Sequence, residues 1–379
     1  MTKEKNRAWL EIDLDALAYN FKNIKSALKP ETKTLCVIKA DAYGHGAGVF
    51  AKELSYLGAD AFAVATNEEA LFLRETIKDK DIMILGYAEP VCYNDLVENN
   101  ITLTIFDYNS AKKLSEIAQS LNKTAKIHIK IDTGMTRIGY EPNEKSADEI
   151  IKISSLPCIY VEGMFSHFAK ADETDKTYTK MQFEKFMYMD ALLKERGLDI
   201  KLKHIANSAG IIDHPEYQLD MVRPGIILYG MYPSSEVKKD KVDLMPVMSV
   251  KAHITRIKDA EKGTFVSYGG IYETNAPEKI ATVPLGYADG FFRLLSEKAQ
   301  MIANGKIVPV VGRICMDQCM IDVTSVNNIN VGDTVTVMGR EGDISIYASD
   351  LAKTLGTISY EILCSFGMRL NKVYTKKQN

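Results

Sequence analysis

Long apolar runs are absent from this sequence, and none approaches the roughly 20 residues of a membrane-spanning helix. The segment from Met1 to Trp9 is polar and charged and lacks the apolar stretch of a secretory signal. An excess of basic residues is also missing. With 47 Lys and Arg against 50 Asp and Glu, the net charge is −3, and no bulk basicity draws the chain to nucleic acid. Cysteines are scattered at Cys36, Cys92, Cys158, Cys315, Cys319 and Cys364, with no CxxC pair and no histidine at zinc spacing. That pattern reads as reduced thiols in a cytoplasmic protein without a metal site. Short repeats and low-complexity segments do not occur, and no GxGxxG follows the first strand-like run.

What is present is too long for one ordinary core, and 379 residues divide naturally into a large barrel and a second domain. Over the first 230 residues short apolar runs alternate with longer amphipathic ones. The apolar runs 34–38, 61–64, 82–85, 102–106, 125–131, 159–165, 202–205 and 219–222 read as strands. Helical periodicity fills 48–57, 68–77, 110–121, 144–154 and 177–194, with Asn67 as a helix cap ahead of Glu68 and Glu69. Eight strand–helix units predict an N-terminal (β/α)8 TIM-like barrel over residues 1–238. Residues 234–244 are polar and read as a linker. Beyond them the strand-like runs 247–257, 279–284, 307–311, 319–323 and 334–338 are punctuated by glycine turns, with one clear helix at 349–355. Residues 239–379 are therefore expected to form a C-terminal, predominantly β domain, and the whole an α/β plus β protein.

Barrel enzymes carry their reactive groups just after the strands, so the residues at those positions are the ones to weigh. Lys39 follows the first strand, and Asp132 and Arg137 follow the fifth. His167 follows the sixth, Asn207 and Ser208 the seventh, and Arg223 and Gly225 the eighth. A lysine buried at a barrel mouth loses basicity and becomes a Schiff-base former, although position alone also allows a plain lysine ending a strand. Ser208, Gly225 and Tyr43 suit a phosphate, since a close backbone N–H and a helix start after Asn207 both favour an anion. A turn glycine and a helix cap are the plain alternative. His167 and His204 are equally readable as core histidines. Arg223 lies among apolar neighbours, and a buried arginine needs a ligand or a carboxylate. In the β domain three pieces stand out: 266–269 with Tyr268, 286–290, and 312–317 with Cys315, Met316 and Asp317. Each alone is compatible with hairpin turns.

Together these pieces resemble one family. Val37-Ile38-Lys39-Ala40-Asp41-Ala42-Tyr43-Gly44-His45-Gly46 is similar to the cofactor-lysine signature of alanine racemases. The resemblance continues in order through 128–139, 204–209, 222–230, 266–269, 286–290, 313–318 and 358–361, covering nearly the whole chain. Asp41 stands where the family often has Asn. The resemblance implies a barrel plus β domain, with the first strand-like segment, 8–12, joining the β domain. It also implies pyridoxal phosphate as cofactor and a head-to-tail homodimer in which each β domain completes the partner's site.

The reaction so implied interconverts L-alanine and D-alanine by a two-base mechanism and supplies D-alanine for peptidoglycan. Lys39 carries the cofactor and acts on one face of the substrate, and Tyr268 of the partner subunit acts on the other. Tyrosine ordinarily has a pKa of about 10, so a neighbour must favour its phenolate, and His167 linked to Arg223 is that neighbour. Arg223 faces the ring nitrogen. Tyr43, Asn207, Ser208, Gly225, Ile226 and Tyr360 hold the cofactor, chiefly its phosphate. Arg137 and Met316 contact the substrate carboxylate. Lys130 matches a position often carbamylated, an unmodified surface lysine being the alternative. Rival readings are a serine or broad-spectrum racemase, a non-catalytic pyridoxal-phosphate-binding protein, and a basic amino-acid decarboxylase. Against the last stands the absence of its phosphate-binding glycine run.

Overall fold

The computed structural model describes residues 6–367 and 369–377. These divide into two compact units, one spanning Ala18–Ala42 and Gly46–Leu244, the other the chain up to Leu17, Tyr43–His45 and the chain from Met245.

In the first unit the expected barrel is formed. After β1 (Ala8–Asp13), which belongs to the other unit, come β2 (Lys33–Val37), β3 (Ala61–Val64), β4 (Asp81–Ile84), β5 (Ile101–Ile105), β6 (Ala125–Lys130), β7 (Ile159–Phe165), β8 (Leu202–His204) and β9 (Met221–Val222). They pair in parallel in the order β8-β7-β6-β5-β4-β3-β2-β9. Backbone bonds from Asp220 N to Lys203 O (3.2 Å) and from Arg223 N to Ala206 O (2.9 Å) bridge the seam between β8 and β9. Runs such as Ala61–Val64 and Ile101–Ile105 are buried throughout, as parallel strands covered on both faces must be, and this is why they read as unbroken apolar segments.

Side-chain caps start the helices between the strands. Asp107 accepts from Ser110 N and Asn143 from Ser146 N. The helix Asn67–Thr76 is capped by Thr66, not Asn67, because Thr66 and Glu69 close a reciprocal capping box. The polar run 234–244 is no free linker. Val237 and Val242 are buried, Tyr232 donates to Val242 O (2.9 Å), and Asp213 accepts from Lys238 N (3.0 Å). Two buried valines and these hydrogen bonds fasten it to the barrel unit.

One local feature departs from sequence expectation. Directly after Lys39, the residues Ala40, Asp41, Ala42 and Tyr43 all have φ between 49° and 54°, a full left-handed turn without glycine. Such a conformation costs about 1–2 kcal/mol per residue. It persists because its backbone is tied down: Ala42 N donates to Ile38 O (2.9 Å), Gly46 N to Asp41 O (2.8 Å), Ala40 N to Glu69 Oε1 (2.6 Å) and Ala47 N to Asp41 Oδ1 (2.8 Å).

The second unit is sheet-rich. Its strands are β1, β10 (Met248–His253), β11 (Arg256–Ala260), β12 (Phe265–Val266), β13 (Tyr272–Glu273), β14 (Glu278–Val283), β15 (Gln300–Ala303), β16 (Lys306–Val311), β17 (Cys319–Asp322), β18 (Thr334–Glu341), β19 (Ile344–Ile346) and β20 (Asn371–Thr375). The main sheet runs β11-β14-β17-β16-β15-β18-β10-β1-β20, with β19 on β18 and a separate β12–β13 hairpin. β1 pairs antiparallel with β10 and parallel with β20. Beside the expected helix, here Ala348–Leu355, a second one lies at Ser359–Ser365. Its seven residues are too few to show a clear period, although Ile362 and Leu363 are buried. Among the described residues no helix is long and apolar enough to cross a membrane.

Candidate active site

Arg223 organises the C-terminal mouth of the barrel. It is 3% exposed, and NH2 donates to Ser166 O (2.6 Å), to Ile205 O (2.9 Å) and, at longer range, to His167 Nδ1 (3.3 Å). NH1 donates to His204 Nδ1 (2.7 Å). A guanidinium only donates, so both imidazoles accept at Nδ1 and carry their proton on Nε2. Of the two partners open to a buried arginine, a ligand or a carboxylate, the second is not found: among the described residues no carboxylate pairs with Arg223. Burial, with Arg137 nearby, pulls Arg223 down to about 9, so it stays cationic at neutral pH. Burial and the charges of Arg223, Arg137, Lys130 and Lys39 lower His167 far below its usual value, and burial and Arg223 do the same for His204. Both rings are neutral.

His167 is fixed from behind. Fully buried Gln182 donates to His167 O (3.0 Å) and Thr133 Oγ1 (3.2 Å) and accepts from Ala169 N (2.8 Å). Arg137 rides on the loop after β6. There Asp132 Oδ1 accepts from Gly134, Met135 and Thr136 N at 2.9–3.0 Å, and Tyr140 N closes the base on Lys130 O (2.9 Å). Gly139 has φ +125°, and a Cβ there would lie 2.7 Å from Asp132 N. The Arg137 side chain is exposed and has no hydrogen-bond or ion-pair partner among the described residues. Beyond β8, Asn207 caps the helix Ser208–Asp213, and Gly225 N donates to Ser208 Oγ (3.0 Å). The Ser208 hydroxyl hydrogen is thus left to donate, and Ile226 begins the next turn, fully buried.

Lys130 is no surface lysine. It is 3% exposed at the end of β6, with Nζ donating to Ile131 O (2.8 Å) and 5.4 Å from the Phe165 ring centre. Burial first, then Arg223, pull it from 10.5 to about 7. The unfolded lysine keeps its proton up to about pH 10.5, whereas the folded one releases it near 7. The native state therefore pays the full penalty below pH 7 and gains stability as pH rises from there towards 10.5. Lys130→Met should remove this dependence. In carbonate-free buffer its stability advantage over the parent, measured by urea unfolding, should be greatest at or below neutrality and shrink as pH rises. A pH-independent difference would contradict the assignment.

The sequence-derived residues of the second unit form another group. Loops 266–269, 286–290 and 312–318, separately ambiguous, lie against one another. Ser267 Oγ donates to Arg313 O (2.6 Å), Tyr287 N to Cys315 O (3.1 Å) and Ala288 N to Met316 O (3.0 Å). Gly286 is obligatory here, as its Cβ would stand 2.3 Å from Cys315 O. Tyr268 is 68% and Met316 53% exposed, and the Met316 N–H has no acceptor among the described residues. Asp317 accepts from Arg369 (2.7 Å). The Tyr43 ring lies 6.0 Å from that of Tyr360.

Sequence reasoning missed Glu69, Gln182 and Glu162 as supports of the site. A signal existed for the last: a carboxylate interrupting the otherwise apolar strand Ile159–Phe165.

Models of the alanine racemase N-terminal and C-terminal domains match residues 12–233 and 247–374. The chain belongs to the alanine racemase family. It is 50% identical over 380 residues to the alanine racemase of Clostridium tetani, covering 100% of this chain and 98% of that one. The solved family member from Clostridium difficile 630 superposes with a TM-score of 0.95 at 46% identity, over 98% of this chain and 96% of that one. Another, from Bartonella henselae with covalently bound pyridoxal phosphate, gives a TM-score of 0.85 at 28% identity, over 98% and 100% of the two chains.

Proposed function

We propose that this protein interconverts L-alanine and D-alanine with pyridoxal phosphate, as a cytoplasmic homodimer supplying D-alanine for peptidoglycan. The observation that carries the reading is the barrel mouth itself: burial and the charges of Arg223, Arg137, Lys130 and Lys39 keep His167 neutral, and among the described residues no carboxylate pairs with Arg223. A buried guanidinium without a counterion and an unpartnered Arg137 fit anionic ligands. The Nε–H of Arg223, with no protein acceptor among the described residues, fits the cofactor's ring nitrogen.

When bound, pyridoxal phosphate supplies the electron sink that makes the Cα proton removable. Lys39 would hold it covalently and handle the proton on one face. Ser208, with Asn207, Gly225 and Ile226, would hold the phosphate. Arg223 would donate to the ring nitrogen without surrendering its proton, which restrains side reactions such as transamination. Arg137 and the Met316 N–H of the partner subunit would take the substrate carboxylate. Tyr268 of the partner subunit would handle the proton on the opposite face, its phenolate favoured by the Nε2–H of His167. The exposure of Tyr268, Met316 and Phe265 supports a surface that a second copy covers. The neutral amine favoured at Lys130 is the form that reacts with carbon dioxide, and a carbamate there would give Arg137 an anionic support.

Turnover of each enantiomer of alanine, serine and lysine by the pure protein tests the reading. Alanine should be preferred in both directions, and turnover of serine alone would replace it with the serine racemase reading. Tyr360 would crowd the space that a side chain larger than that of alanine needs, so Tyr360→Ala should raise the serine-to-alanine ratio of kcat/KM about tenfold, the scale of a relieved steric contact. An unmoved ratio would show that Tyr360 is not the gate.

A further inference from the structure

The register of β6 against β7 is broken at one point. Ile127 lies opposite Val161 and His128 opposite Gly163, which leaves Glu162 as a bulge residue without a partner. Bulges re-aim side chains, and here the neighbour completes the effect. A Cβ on Gly163 would lie 2.7–2.8 Å from the His128 ring atoms, so the imidazole occupies space that only glycine leaves. Glu162 Oε2 then stands 3.3 Å from His128 Nε2, His128 Nδ1 2.9 Å from His204 Nε2, and His204 Nδ1 2.7 Å from Arg223 NH1.

We propose that Glu162 is a positioning residue for Arg223, acting through the hydrogen-bonded rings of His128 and His204. The direction of every proton follows from the two ends. Arg223 only donates, so His204 accepts at Nδ1 and donates from Nε2. His128 then accepts at Nδ1 and donates from Nε2 to the carboxylate. One proton on each ring satisfies all three bonds, whereas the other tautomer of either ring sets N–H against N–H or leaves two lone pairs facing. Both histidines and Arg223 are at most 3% exposed, so such a mismatch would have no water to relieve it. Burial works to raise the Glu162 pKa, but His128 and Lys126 outweigh it and hold it below the usual carboxylate value, so the terminal acceptor is an anion. Lys126 pairs with Glu162 (3.3 Å) and Asp81 (2.9 Å) on the far side, outside the relay.

The effect on turnover rests on the role given to Arg223 above, while the proton arrangement rests on geometry alone. The test therefore reads both. In 15N-histidine-labelled protein, with and without pyridoxal phosphate, His128 and His204 should both appear as Nε2–H tautomers. Glu162→Leu should lose the fixed tautomer of His128, disturb that of His204, and lower kcat for alanine about tenfold with KM little changed, the scale of a lost charged hydrogen bond. Glu162→Gln, whose amide oxygen still accepts, should restore the tautomers and most of kcat. Lys126→Met removes a charge that helps keep Glu162 ionised but no bond of the relay, so it should leave both tautomers in place and lower kcat far less than Glu162→Leu. An Nδ1–H tautomer at either ring in the parent protein overturns the proposal. So does a Glu162→Gln variant as impaired as Glu162→Leu, or a Lys126→Met variant that reproduces the loss. If Glu162→Leu does not fold, the parent spectrum and the other two variants still decide. Absence of alanine turnover with the tautomers as stated would count against the functional reading and not against the relay.

Discussion

Lys39→Ala is expected to reduce alanine racemisation by at least about ten-thousandfold, since two functions vanish together. The cofactor loses its covalent tether, and one of the two proton-transfer groups disappears, itself worth roughly 10²–10⁴ in rate. The fold should survive, because Lys39 is only half-buried and the turn behind it is held by backbone bonds to Ile38, Asp41 and Glu69. Two measurements check this. The variant should lack the visible absorbance of lysine-bound cofactor, and borohydride should no longer attach pyridoxal phosphate to the peptide spanning β2. An adduct of unchanged yield at that peptide would remove Lys39 from its assigned role.

Tyr268→Phe should have the second largest effect, a fall of about a thousandfold or more in both directions of racemisation. Its mechanistic content lies in an asymmetry. If Lys39 serves the D face and Tyr268 the L face, the variant should still exchange the Cα proton of D-alanine with deuterium but should lose exchange from L-alanine. Single-turnover wash-in, followed separately for each enantiomer, resolves the two. Equal slowing would favour a single-base or water-mediated route. Subunit sharing is tested with the same protein. Inactive Lys39→Ala and Tyr268→Phe chains, once exchanged, should form heterodimers with one intact site, and silence despite proven exchange would mean that the site is not shared.

The barrel was legible because its physics is local. A parallel strand buried on both faces writes a continuous apolar run, so segments such as Ala61–Val64 and Ile101–Ile105 could be bounded from composition alone. The mouth was legible because reactive groups follow strands, which singled out Lys39, Arg137, His167 and Arg223. The rest depended on encounters between distant residues. Glu162, His128 and Arg223 meet across 34 and 95 positions of sequence, and only a register slip between β6 and β7 turns the carboxylate inward. That no carboxylate pairs with Arg223 among the described residues was likewise invisible, because a buried arginine announces a need and not what meets it. Thr66 displaced Asn67 as the helix cap for a subtler reason: both residue types cap well, and the reciprocal bond with Glu69 decides between them.

The left-handed turn after Lys39 bears on which sequences this position tolerates. Its residues are chosen by dihedral angle before they are chosen by chemistry. Asp41 illustrates this: aspartate and asparagine are the non-glycine side chains that enter the left-handed region most readily, and either presents an Oδ1 to the N–H of Ala47. The exchange with the asparagine often found in the family should therefore leave the turn intact, because the backbone would accept both. A β-branched residue at the same place would offer comparable bulk but no such dihedral tolerance. Neutral drift at this turn should thus be confined to a short alphabet, even at side chains that never approach the substrate.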